Sequence, residues 1–83
     1  MIKILFFASF RERLGTDSEE MALQGLSDLG SLLSLLRLRG GVWGEVFAEG
    51  QTVMMALNQE VSDTTAAIQD GDEVAFFPPV TGG

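Results

Sequence analysis

Eighty-three residues, 46% of them hydrophobic, make one small folded domain rather than a disordered chain. The sequence has no cysteine, which excludes disulfides, thiol nucleophiles and zinc–thiolate sites; without histidine or tyrosine it also lacks the usual general base and the commonest metal ligand. Five basic residues against twelve acidic ones give a net charge of −7, which repels phosphate backbones and anionic lipid and favours a basic groove on another protein as the complement, with no nucleic acid and no membrane as partner.

Residues 1–9 are rich in β-branched and aromatic side chains and are predicted to form a strand. Ile2, Ile4 and Phe6 fall on one face and Leu5 and Phe7 on the other, the pattern of a strand covered on two sides. Residues 11–16 are polar and end in Gly15-Thr16, a turn signal, so residues 17–23 are expected to return as the second strand of a hairpin. Glu19 and Glu20 are adjacent in that strand. They point to opposite faces and read as a solvated edge, not a metal pair.

Residues 27–41 read as the main helix. Ser27 is the expected N-cap and Asp28 suits the positive end of the helix dipole. Leu29, Leu32, Leu33 and Leu36 form one apolar stripe at helical spacing, too short for a zipper and suited to a core. Arg37 and Arg39 complement the negative end, Gly40 or Gly41 stops the helix, and Gly30 weakens it by about 1 kcal/mol relative to alanine. Val42, Trp43, Val46 and Phe47 continue the spacing in a short second helical piece ended by Gly50.

Residues 52–58 return to strand, Asn58-Gln59-Glu60 reverses the chain into a short strand around Val61, and residues 66–69 are expected as one helical turn. Asp70, Asp72 and Glu73 lack the spacing of a calcium loop and are assigned no metal. Residues 73–77 form the last strand. This order predicts an α+β fold, a mixed sheet with one main helix on one face and the two most apolar strands, first and last, side by side at its centre. One helix covers one face only, so apolar residues among Leu5, Phe7, Ala75 and Phe77 are expected to face solvent or a partner.

The chain then divides into a domain over residues 1–77 and a tail over residues 78–83. Pro78 and Pro79 cannot continue a ladder and favour stiff polyproline II geometry; Gly82 and Gly83 carry no side chain. Six residues reach about 20 Å at full extension. The result is a rod ending in a slim carboxylate, able to thread a narrow channel, with Gly83 as the working group. No apolar run is long enough to span a membrane and no secretory signal layout is present, so a cytoplasmic location is expected. Lys3 is the only lysine and there is no phosphate-binding loop, so a partner must supply nearly all catalytic groups.

Ile2-Lys3-Ile4-Leu5-Phe6-Phe7-Ala8 with Arg11-Glu12 and Leu14-Gly15, then Ala56-Leu57-Asn58-Gln59-Glu60-Val61, and above all residues 70–83 resemble the small-subunit, sulfur-carrier family of molybdopterin synthases. Residues 24–50 resemble it least. The resemblance implies a ubiquitin-like β-grasp fold and no cofactor bound by this chain. It implies that a ubiquitin-activating-like adenylyltransferase, using ATP with magnesium, adenylates Gly83. A sulfurtransferase or cysteine desulfurase then supplies sulfur for a terminal thiocarboxylate. The large catalytic subunit, in a heterotetramer of two small and two large chains, receives the tail, and the sulfur passes to cyclic pyranopterin monophosphate. On this resemblance Gly82, Thr81 and Val80 line the tail's passage, while Phe7, Ala75, Phe76, Phe77, Pro78 and Pro79 dock the partner. The alternatives are a sulfur carrier of the thiamine pathway, a ubiquitin-like modifier forming isopeptide bonds through Gly83, and an interaction domain with an inert tail.

Overall fold

The computed structural model describes residues 1–79. Five strands form one mixed sheet: β1 (Ile2–Phe6), β2 (Ser18–Met21), β3 (Met54–Leu57), β4 (Glu60–Ser62) and β5 (Glu73–Phe77), in the order β2-β1-β5-β3-β4. β1 and β5 are parallel neighbours, and the other three pairings are antiparallel. The first and last strands therefore lie side by side with β5 in the middle, as expected of an α+β β-grasp arrangement.

Three helices, α1 (Ala8–Leu14), α2 (Leu29–Arg37) and α3 (Gly41–Val46), accompany the sheet. α2 is the predicted main helix; its Leu29, Leu32 and Leu36 are fully buried. Its N-cap is Asp28, one residue later than expected. The Asp28 carboxylate accepts from the Ser31 backbone N–H at 2.8 Å, and the Ser31 hydroxyl oxygen accepts from the Asp28 N–H at 3.2 Å, a reciprocal capping box. The rest of the core comes from Ile2, Ile4 and Phe6 of β1, Val74 and Phe76 of β5, and Val46 and Phe47 at the end of α3. Phe76 meets Phe47 edge-on at 5.4 Å and stacks with Phe6 at 6.4 Å, the preferred aromatic geometries.

Two expectations are corrected. The link between β1 and β2 is helical, not a simple turn: Phe10 is buried, Leu14 is half-buried, and Gly15 closes α1 in the left-handed region at φ 73° with its N–H on the Arg11 carbonyl at 3.0 Å. Residues 66–69 form no helical turn. The Ala66 carbonyl accepts from the Leu29 N–H at 3.0 Å and the Ile68 N–H donates to the Ser27 carbonyl at 3.1 Å, so this segment spends its backbone groups along the entrance to α2.

Candidate functional site

Strand alternation assigns each residue of β1, β5 and β3 to one side of the sheet. The helix-side rows are Ile4 with Val74, and Phe6 with Phe76 and Met55. On the opposite side Leu5, Ala75, Ala56 and Val61 stand in one cross-strand row. Phe77 and Met54 are paired above that row, and Lys3 lies between Glu20 and Glu73 below it. Among the described residues no helix covers this outer side: Phe7 is 44% exposed and Val61 71% exposed.

A hollow of about 280 Å³ opens there, lined by Leu5, Phe7, Ala56, Ala75 and Phe77, with Gln59 and Glu73 at one end. It exists because two alanines face each other across β3 and β5 while leucine and phenylalanine stand around them. Its volume falls just below the range typical of cofactor and drug-sized sites, which suits a protein side chain better than a bound small molecule.

The polar end is held by a knot around Asn58. Asn58 and Gln59 take positive φ values of 50° and 72°, the backbone a tight two-residue hairpin requires. The Asn58 N–H donates to the Glu73 carbonyl at 2.8 Å, its side-chain oxygen accepts from the Glu73 N–H at 3.0 Å, and its amide nitrogen donates to Asp72 at 3.0 Å. Asp72 also accepts from the Gln69 N–H at 2.8 Å. These bonds, the Asn58 one foremost, hold the Asp72 carboxyl below its usual range. Asp72 and the backbone of Glu73 are thus engaged in closing a turn.

Of the residues predicted to dock a partner, Phe7, Ala75 and Phe77 lie on the outer side and line the hollow. Pro78 is half-buried and Pro79 exposed just beyond the end of β5. Phe76 is corrected: it is fully buried and points into the helix-side core, because neighbouring strand residues face opposite ways. It supports the outer surface from behind. Val80, Thr81, Gly82 and Gly83 lie outside the described residues. Sequence reasoning missed Ala56, Gln59 and Glu73 as lining residues; residues 54–57 are apolar throughout, so nothing local singles out Ala56 until β3 is known to pair with β5.

Glu19 and Glu20 do point to opposite sides, but Glu19 is not a bare edge carboxylate. It takes a two-pronged bond from Arg39 and is only partly exposed. Among the described residues no helix is long and apolar enough to cross a membrane.

The ThiS family model matches residues 4–83. The chain is 41% identical over its whole length to the molybdopterin synthase sulfur carrier subunit of Escherichia coli, covering all of both chains. It is 30% identical to small archaeal modifier protein 3 of Haloferax volcanii, covering 99% of this chain and 98% of that one. Among solved structures, the Haloferax volcanii HVO 2177 protein superposes with a TM-score of 0.77 at 31% identity, covering 99% of this chain and 85% of that one. A chain from the complex of subunits 1 and 2 of the molybdopterin-converting factor of Helicobacter pylori has a TM-score of 0.67 at 24% identity, covering 99% of this chain and 97% of that one, which is a likeness of fold. With a family model over residues 4–83 and full-length relatives in agreement, the chain belongs to the ThiS family, alongside relatives named molybdopterin synthase sulfur carrier subunit.

Proposed function

We propose that this chain is the sulfur carrier subunit of a molybdopterin synthase, with residues 1–77 as the docking domain and residues 78–83 as the delivering tail. A carboxylate is a poor electrophile because resonance protects its carbon and oxide is a hopeless leaving group. A ubiquitin-activating-like partner therefore joins the Gly83 carboxylate to AMP from magnesium-bound ATP and releases pyrophosphate. A persulfide on a cysteine desulfurase or sulfurtransferase attacks the Gly83 carbonyl and displaces AMP, giving an acyl disulfide; a second thiol of the partner then cleaves the S–S bond, which leaves the thiocarboxylate on Gly83 and a disulfide on the partner. The tail then enters the large catalytic subunit, in a heterotetramer, where the sulfur attacks cyclic pyranopterin monophosphate; two transfers build the dithiolene. Catalytic side chains come from the partners, in keeping with a chain that has no cysteine or histidine.

The observation that carries this reading is the location of the apolar hollow. It lies on the uncovered side of the sheet and is walled by Phe77, the last residue of β5, directly before Pro78 and Pro79. A partner seated on it sits beside the start of the tail. Support also comes from the E. coli relative's name and from the two-subunit complex of the H. pylori neighbour.

The test is intact mass with C-terminal fragmentation after incubation with the activating enzyme, ATP and a sulfide source. The expected result is one oxygen-for-sulfur exchange placed on Gly83 by fragment ions. Placement is required because oxidation of any of the four methionines adds nearly the same mass. An unchanged Gly83, or normal molybdopterin formation by a chain whose terminal carboxyl is blocked as an amide, rejects the reading.

The similarity to small archaeal modifier protein 3 favours a second reading, in which Gly83 is joined to lysines of other proteins. A ladder of covalent adducts on immunoblots supports that modifier; one discrete thiocarboxylated species supports the carrier.

A further inference from the structure

The middle row of the outer side, Leu5, Ala75, Ala56 and Val61, has a gap in it. Directly paired strand residues have Cβ atoms about 4.5–5.5 Å apart, so two facing methyl groups leave a depression between taller neighbours. A flat surface laid over this row would leave a void and forfeit the contacts that a packed interface makes there. The depression also has a polarity. Its Phe77 end is apolar, while its other end carries Glu73, whose cross-strand neighbour Lys3 is its nearest cation but forms no ion pair with it among the described residues.

Resting on the proposed carrier function, we infer that the Ala56–Ala75 depression is the seat for one bulky apolar side chain of the large synthase subunit, and that a lysine or arginine of the same subunit lies against Glu73. The chain's net charge of −7 gives the interface its sign, and the alanine pair gives it its register. Seating one anchor in a desolvated pocket concentrates binding energy at a single position. That anchor fixes where the partner sits relative to Phe77, two residues along the strand from Ala75, where the tail begins.

The experiment is calorimetric titration of the full chain with the large molybdopterin synthase subunit of the same organism, at low and moderate salt. Filling the seat with Ala75→Leu or Ala56→Leu is expected to weaken binding by about tenfold or more, the scale of a lost anchor. Ala75→Ser, which keeps the volume, is expected to stay within about twofold. Glu73→Gln is expected to weaken binding and flatten its salt dependence. Circular dichroism and thermal melting of each variant show that the fold is intact. Wild-type affinity in both filled variants, with the fold retained, overturns the seat, and unchanged salt dependence in Glu73→Gln overturns the cation. A wild-type chain that does not bind the large subunit overturns the underlying carrier reading, and the seat with it.

Discussion

Arg39, just past the end of α2, grips Glu19 on edge strand β2 with both terminal guanidinium nitrogens, and its guanidinium carbon lies 4.5 Å from the centre of the Trp43 ring. One side chain thus ties the sheet edge to two helices. A single surface ion pair contributes little, but this geometry is two-pronged and stacked on an aromatic face. Glu19→Gln is expected to cost about 0.5–1 kcal/mol in urea unfolding near neutral pH.

The pH dependence of that loss has a definite sign. Hydrogen bonds from Arg39 hold the Glu19 carboxyl below its ordinary value, against the opposing pull of partial burial. A carboxyl depressed in the folded state contributes stability that is present above the unfolded value, about 4.3, and lost as pH falls through the folded one. The gap between wild type and Glu19→Gln should therefore be full near neutrality and close progressively below about pH 4. A gap that widens on acidification would contradict this assignment.

Gly30→Ala tests helix propensity against packing. Alanine gains about 1 kcal/mol of propensity in a helix interior. At Gly30, however, a Cβ would meet the Thr64 carbonyl oxygen at 3.2 Å and its Cβ at 3.3 Å. That segment is held in place by the Gly30 N–H donating to the Thr64 carbonyl at 2.9 Å. Overpacking of this kind costs roughly 1–3 kcal/mol, so a net loss of about 1 kcal/mol in denaturant unfolding is expected.

Ala8→Gly should do the reverse. Ala8 has φ 55°, a left-handed conformation that costs a residue with a Cβ roughly 1–2 kcal/mol. Glycine adopts it without that cost, although it loses more entropy on folding. A net stabilisation of about 0.5–1 kcal/mol is expected by the same measurement, even though glycine is the poorer helix former.

Phe76 and Phe77 should separate stability from docking. Phe76→Ala removes a fully buried ring from the aromatic core and should cost about 3–5 kcal/mol. Phe77→Ser alters a half-buried wall of the outer hollow; it should cost clearly less in unfolding while weakening capture of the large subunit. Equal stability losses for the two would refute the two-sided assignment.

Much of the fold was legible in local patterns. The last strand, expected over residues 73–77, is Glu73–Phe77, and Leu29, Leu32 and Leu36 of the leucine stripe of α2 are buried, with Leu33 half-buried. Helix α1 was not legible because Phe10 and Leu14 give it only two inward apolar residues, too thin a signal among polar neighbours. Gly30 read as a weakness of the helix; the approach of Thr64, distant in sequence, shows what its bare Cα admits.

The sequence alone determined that β1 and β5 have two apolar sides, that α2 has one apolar stripe, and that residues 70–83 resemble a sulfur carrier's end, because each of these depends on neighbours a few positions apart. Only the tertiary structure decided which side of the sheet is covered, and so why Phe76 is core while Phe77 and Ala75 face outward. It also decided that Ala56 meets Ala75 to open a hollow. Alternation gives every strand two sides, but the side left for a partner depends on where a helix from elsewhere in the chain packs, and no local period encodes that long-range choice.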